Sequence, residues 1–310
     1  MTELERYLAE EIAEDHVDGI INRREALRRL ALLGVGATTA AGMIAAEAEA
    51  RTRGKNSGGD KHGHGHGHPD RAVTARAPAA TQAITFPGPR GTLMGAWAPA
   101  ATQQVKGGVL VIHENRGLTP HIANVAGRFA TNGFSALALD LLSEEGGTGA
   151  FPDEATLVAK LSQISATNPE RFDEDMQAAL TEIAKRVGRH APLSAIGFCF
   201  GGGMIWRLLA AGEPRLSAAA PFYGPLPTGA SFKGNKAAVL GVYGGLDTRV
   251  NATREAARLA LEAARLEHEI LTFTEADHAF FNDTGARFNP KAAEEAWRRV
   301  VGWFDDAERD

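Results

Sequence analysis

The sequence predicts an α/β fold, a mostly parallel sheet flanked by helices, and three observations carry that prediction. From Ala83 onward, short apolar runs alternate with longer amphipathic segments to the end of the 310-residue chain. The runs at 108–113 and 134–139 are near-continuously apolar rather than alternating, as strands covered on both faces require. No repeat recurs at a fixed period, so one domain is expected over about 83–307.

The elements follow in order. Residues 108–113 and 134–139 read as buried parallel strands, and the helix between them has Pro120 near its start and Gly133 just past its end, where each residue is favoured. Runs at 193–198, 218–223, 238–243 and 267–273 continue the strands. Segments 170–188, 200–212, 252–266 and 290–305 carry apolar residues at helical spacing and are expected to cover the sheet. Residues 142–153, rich in glycine and acidic groups, read as a long loop near the mouth of a site.

The composition, 44% hydrophobic and 23% charged, is that of an ordinary globular protein and excludes a disordered, fibrous or membrane-spanning chain. The formal charge of −5 is unevenly placed: residues 1–50 carry ten acidic and five basic side chains, leaving 28 of each sign beyond them. That neutral remainder gives no electrostatic case for nucleic acid or an anionic membrane as partner. A single cysteine excludes an internal disulfide.

The first fifty residues read as an address. Asn22, Arg23, Arg24, Glu25, Ala26, Leu27 and Arg28 resemble a twin-arginine export motif. An uncharged run from Leu30 to Ala46 follows, too short and too weakly apolar for a stable membrane span but suited to a signal-peptide core. Ala48 and Ala50 then flank a cleavage point before Arg51. Residues 1–50 are therefore expected to be a twin-arginine-type signal segment, with the export machinery as partner and a periplasmic or otherwise exported protein as the result. The acidic start is unusual for such a segment, which ordinarily begins basic.

Residues 51–82 hold almost no large apolar side chain, so burial cannot offset their ordering entropy, and they read as a flexible linker. Within it His62, His64, His66 and His68 alternate with glycine. Clustered imidazoles bind transition metals, but glycine spacing fixes neither a geometry nor supporting hydrogen bonds. The tract reads as a solvated tether with adventitious metal affinity rather than a metal site.

The chemistry concentrates at Gly197, Phe198, Cys199, Phe200 and Gly201, the chain's only Gly-x-Cys-x-Gly or Gly-x-Ser-x-Gly match, set where a strand ends and a helix begins. A nucleophile elbow needs a sharp, strained turn there, with flanking glycines giving clearance. The following helix N-terminus favours a thiolate. An α/β-hydrolase fold orders its triad as nucleophile, acid and histidine, the last two after later strands. Asp247 follows the run at 238–243, and His278 follows that at 267–273. Glu114, after the first buried strand, is either a proton acceptor for the thiol or a solvated loop carboxylate. The backbone N–H groups of Phe200 and Asn115 are the natural oxyanion-hole donors. Tyr223 sits past a strand, as a hydrogen-bonding group for substrate or as a half-buried aromatic.

These motifs, with His113 to Leu118, Pro221 to Gly224 and Asp277 to Phe280, are together similar to the dienelactone hydrolase family, also called carboxymethylenebutenolidases, over essentially all of 83–307. An exported branch of that family resembles the chain in the signal region and in the segment from Phe288 to Trp297. The resemblance implies Cys199 as nucleophile, His278 as base, Asp247 as its orienter and Glu114 as the group that helps generate the thiolate. Members of the family place an arginine four residues after the histidine to grip a substrate carboxylate; this chain has Asn282 there, and Arg116 and Arg287 stand elsewhere. The expected activity is hydrolysis of a small ester or lactone by acyl transfer to Cys199, with no metal or organic cofactor. The alternatives are a general carboxylesterase that does not act on dienelactones and an exported metal-binding protein that uses the histidine tract.

Overall fold

The computed structural model describes residues 1–54 and 77–307. In chain order the elements are α1 (Glu3–Val17), α2 (Arg23–Leu32), α3 (Ala37–Gly54), β1 (Gln82–Gly88), β2 (Gly91–Ala98), β3 (Gly107–Ile112), α4 (Pro120–Thr131), β4 (Phe134–Asp140), α5 (Glu154–Thr167), α6 (Glu170–Val187), β5 (Leu193–Phe198), α7 (Phe200–Ala210), β6 (Leu216–Phe222), β7 (Ala238–Gly244), α8 (Thr248–Asn251), α9 (Arg254–Ala264), β8 (His268–Phe273) and α10 (Pro290–Asp306). Contacts divide the described residues into two compact units: 1–54 with 153–167, and 77–152 with 168–307.

In the larger unit the eight strands form one sheet in the order β1-β2-β4-β3-β5-β6-β7-β8. Strands β3 to β8 run parallel to their neighbours, while β1 pairs with β2, and β2 with β4, antiparallel. Every residue of β3, β4, β5 and β7 is buried, as in a sheet covered on both faces. One helix pair is joined by Phe129 of α4 against Trp297 and Phe304 of α10, at 4.6 and 5.7 Å between ring centroids. The other is joined by Phe172 of α6, edge-on to Phe200 of α7 at 5.6 Å. Each such buried ring contributes about 1.5–3 kcal/mol by leaving water.

The expected parallel strands and their helices are present. Pro120 is the first residue of α4, and Gly133 takes the left-handed conformation (φ 96°) after it. The segment expected as one helix over 252–266 begins instead with the single turn of α8 and resumes as α9, which closes on Arg265 at φ 58°. The β1–β2 hairpin, joined through Pro89 and Arg90, has no counterpart in the predicted strands. β1 lies at the sheet edge with mostly exposed side chains, so it lacks the apolar run that marks the interior strands. Helix α5 is likewise additional. Its Leu157, Val158, Leu161 and Ile164 recur at helical spacing behind Asp153, whose side chain accepts a hydrogen bond from the Thr156 N–H at 2.8 Å.

The expected loop at 142–153 contains two short 3₁₀ turns, Ser143–Glu145 and Thr148–Ala150. Arg171 of α6 holds Glu145 through two hydrogen bonds of 2.8 and 2.6 Å, and Arg90 reaches Glu144 at 2.8 Å. Asp140 Oδ2 accepts from the Thr148 N–H at 2.7 Å, and Thr148 Oγ1 accepts from the Leu118 N–H at 2.8 Å. The segment is therefore a brace between the loops that follow β3 and β4.

In the smaller unit α1 begins with a capping box in which Thr2 and Glu5 satisfy each other's backbone N–H. Arg28 and Arg29 of α2 pair with Asp153 (2.5 Å) and Glu154 (2.8 Å) at the start of α5. Arg23 and Arg24 open α2 behind Asn22, whose side chain caps the helix by accepting from the Glu25 N–H at 3.0 Å. The uncharged run from Leu30 to Ala46 covers the end of α2 and half of α3. No helix among the described residues is long and apolar enough to cross a membrane. Of the expected linker, residues 51–54 complete α3 and Gln82 opens β1, while His62, His64, His66 and His68 lie outside the described residues.

Candidate active site

Strand β5 ends at Phe198 and helix α7 begins at Phe200, so Cys199 alone makes the turn, at φ 56° and ψ −119°. A non-glycine residue is held there only when its surroundings over-determine it, at a cost of about 1–3 kcal/mol. The flanking glycines supply the clearance. A Cβ on Gly197 would lie 2.2 Å from the Gly201 carbonyl oxygen, and one on Gly201 would lie 2.5 Å from the carbonyl oxygens of both Ile112 and His113. The elbow is tied to the neighbouring strand end by the Cys199 N–H, which donates to the Phe222 carbonyl at 3.0 Å.

Asp247 and His278 come to this point from the ends of β7 and β8. Both are fully buried. Asp247 Oδ1 accepts from the Val250 N–H at 3.0 Å, capping α8, and its Oδ2 lies 2.6 Å from His278 Nδ1. The Cys199 sulfur lies within 4.8 Å of a His278 ring nitrogen and shares a hydrogen bond with the ring. Burial opposes charge on His278, but the Asp247 carboxylate and then Cys199 overcome it and hold the imidazole pKa well above its ordinary value. Burial would likewise raise the Asp247 carboxyl, yet His278, Arg249 and the Val250 N–H hold it below the usual carboxylate range.

The histidine loop is itself braced. The His278 N–H donates to Asp277 Oδ1 at 2.8 Å, Ala279 follows at φ 56°, and Phe281 stacks on Phe198 of β5 at 5.2 Å. Arg128 of α4 lies over the Phe281 and Trp297 rings at 5.0 and 4.3 Å. Tyr223, at φ 36°, sets its ring edge-on to His278 at 5.2 Å. Burial, with Glu114 and Cys199 nearby, raises its phenol pKa well above the ordinary value.

Glu114 is buried in the loop after β3. Its Oε2 accepts from Asn282 Nδ2 at 2.6 Å, and its Oε1 has no hydrogen-bond partner among the described residues. Asn282 is fixed in that orientation because its Oδ1 accepts from both the N–H (3.0 Å) and the hydroxyl (2.6 Å) of Thr284. Arg116, in the Glu114 loop, and Arg287, beyond Asn282, are half-buried. The N–H groups of Asn115 and Phe200 have no backbone acceptor among the described residues, so both remain able to donate.

The structure thus gathers Cys199, Asp247, His278, Glu114, Tyr223 and Asn282 at the strand ends of the larger unit. Sequence reasoning passed over His113 as a site residue. It closes a wholly apolar strand, and a polar side chain at that position was the available signal. Its ring is fully buried, stacks on Phe200 at 6.4 Å and 16°, and bonds on both nitrogens: Nδ1 lies 2.5 Å from the Glu114 carbonyl oxygen, and Nε2 accepts from the Leu141 N–H at 3.1 Å.

Comparison with known proteins places these features in a wider set. The profile of the dienelactone hydrolase family matches residues 94–308. A protein of Escherichia coli O157:H7 named "Putative carboxymethylenebutenolidase" is 35% identical over 211 residues, covering 63% of this chain and 75% of that one. A crystal structure from Klebsiella pneumoniae, titled as a "Putative Dienelactone Hydrolase", superposes with a TM-score of 0.59 at 29% identity, covering 72% of this chain and 97% of that one. The dienelactone hydrolase-like promiscuous phosphotriesterase P91 from metagenomic libraries shares the fold, with a TM-score of 0.65 at 23% identity over 74% of this chain and 99% of its own.

Proposed function

Because the chain belongs to the dienelactone hydrolase family, whose members hydrolyse esters and lactones, we propose that it cleaves a small neutral ester or lactone through an acyl-enzyme on Cys199. The observation that carries this reading is the line Cys199, His278, Asp247 at the elbow, with the imidazole pKa raised by its two neighbours. In the proposed cycle the Cys199 thiolate attacks the carbonyl carbon, forming the S–C bond, and the carbonyl oxygen takes the negative charge. The N–H groups of Asn115 and Phe200 receive that oxyanion. Collapse breaks the C–O bond to the alcohol, which leaves with the proton from the His278 imidazolium. A water then gives its proton to His278 and attacks the thioester, and collapse returns the thiolate and the acid. Asp247 keeps the ring in the tautomer that faces the sulfur. Glu114 takes up the thiol proton where the resting sulfur is protonated.

The test is a screen of aryl esters and unsaturated lactones on purified protein, with the reaction quenched during turnover and digested for mass spectrometry. Acyl mass is expected on the peptide containing Cys199. Turnover with the acyl group on another residue would overturn the mechanism.

The Asn282–Glu114 contact supports the neutral substrate. A carboxylate on the acyl group would meet Glu114, whose Oε2 is held by the uncharged amide of Asn282 at the position where the family resemblance implies an arginine. Charge-assisted hydrogen bonds are worth about 1.5–3 kcal/mol, roughly tenfold to a hundredfold in discrimination. Neutral esters are therefore expected to have kcat/KM at least equal to that of matched carboxylate-bearing ones, and Asn282→Arg to move the ratio toward the anionic substrate by that factor. A strong preference of the unaltered protein for the anionic member of the pair would refute this reading.

We further propose export by the twin-arginine route, supported by Arg23 and Arg24, the uncharged run from Leu30 to Ala46, and Ala48 and Ala50. Replacing both arginines with lysine is expected to retain the protein in the cytoplasm. Finding the unaltered protein there on cell fractionation would remove the basis for this assignment.

A further inference from the structure

We infer that His113, a buried neutral histidine, is the positioning residue of the oxyanion hole, an inference that rests on the acyl-transfer reaction proposed above. The tautomer follows from its two partners. The Leu141 N–H can only donate, so Nε2 must accept, and the ring hydrogen must sit on Nδ1 and point at the Glu114 carbonyl oxygen. Burial lowers the imidazole pKa, which keeps the ring in this neutral form.

The acceptor identifies the role. The Glu114 carbonyl and the Asn115 N–H belong to one peptide unit, and in a trans peptide they point in opposite directions. Fixing the carbonyl toward the His113 ring therefore turns the N–H the other way and holds it there. A hydrogen bond on the oxygen also draws electron density from the nitrogen side, making the N–H a stronger donor to a developing oxyanion. The Gly117 N–H shares the same carbonyl at 3.2 Å and closes the turn, but only the ring is anchored elsewhere in the sheet, through Leu141 after β4.

The second donor is held by the same ring. His113 stacks on Phe200, and the helix carrying Phe200 approaches so closely that Gly201 has no room for a Cβ beside the His113 carbonyl. His113 thus sets the spacing between the loop after β3 and the start of α7, the two places from which the proposed donors come. A peptide free to rotate would present its carbonyl to the substrate oxygen instead.

Two variants and one direct measurement test this. His113→Phe keeps a buried ring on Phe200 but cannot donate, and kcat for a neutral aryl ester is expected to fall about a hundredfold, the scale of one lost oxyanion donor, with KM changed only a few-fold. His113→Asn, whose amide N–H can replace Nδ1–H, is expected to recover most of that loss. Alkylation of Cys199 by iodoacetamide passes through no oxyanion, so its rate should be unchanged in both. An unaltered kcat in His113→Phe overturns the inference, as does a parallel fall in kcat and alkylation, which would mark a merely structural residue. If His113→Phe does not fold, NMR of the ring nitrogens in the unaltered protein decides: a hydrogen on Nδ1 alone is required, and a hydrogen on Nε2 refutes the arrangement. The proposed reaction fails separately, when turnover survives Cys199→Ala. The His113 inference fails when turnover depends on Cys199 but not on His113.

Discussion

Cys199→Ala should lower ester hydrolysis by about 10⁴-fold or more while leaving the fold in place, because removing an attacking atom leaves only binding and the oxyanion donors. The structural cost is small. Cys199 is the N-cap of α7 but makes no side-chain cap hydrogen bond, and alanine meets the same positive φ. The melting temperature is therefore expected to move by no more than a few degrees. Iodoacetamide should inactivate the unaltered protein with a rate that stays high below the pKa of a free thiol, about 8.5. The sign follows from His278. Its raised pKa keeps the imidazolium beside the sulfur above pH 6.5, so the thiolate–imidazolium pair persists across neutral pH and is lost only as acid protonates the sulfur. Wild-type turnover in Cys199→Ala, measured on aryl esters, would end the assignment.

Asp247→Asn should cost about 10²–10⁴ in kcat without unfolding the site. The asparagine oxygen can still cap α8 by accepting from the Val250 N–H, as Oδ1 does now. Its amide nitrogen then faces His278 Nδ1 and donates, which leaves Nδ1 bare and puts the ring hydrogen on Nε2, the wrong tautomer for a base acting on the sulfur. The carboxylate that holds the imidazole pKa up is also gone, so that pKa should drop. The imidazolium is consequently lost at lower pH than in the unaltered protein. The same linkage reaches stability: a group whose folded pKa is raised adds stability below its unfolded value, near 6.5, and loses it as pH rises through the folded value. Thermal unfolding of the unaltered protein minus that of the variant should shrink toward alkaline pH. A loss of less than tenfold in kcat would show that the ring is oriented by something other than Asp247.

The sheet is legible in the sequence because its interior strands are apolar on both faces, and most candidate side chains are legible because they stand just past such a run. Cys199, Asp247 and Glu114 satisfy that rule, while His278 follows the half-buried edge strand β8. The edge hairpin escapes because a strand half in water has no continuous run to read, and α5 because the glycine-rich segment before it hides the Asp153 cap. The Asn282 to Glu114 contact joins residues 168 apart in sequence, and no local pattern encodes which of several polar groups will meet there. His113 escapes for a different reason. Its function lies in which nitrogen carries the hydrogen, and that is set by a backbone N–H on a neighbouring strand end.

Among the described residues, the non-glycine positions with positive φ are Cys199, Tyr223, Arg265 and Ala279, and three of these four surround the thiol. The backbone there is tense in the resting molecule, and the rest of the fold carries that tension. Sequence changes that would relax it are the ones that would misplace the sulfur, the phenol or the imidazole. Evolution toward a hardier molecule is therefore steered away from the catalytic rim and into the outer strands, where gains in packing leave the chemistry alone.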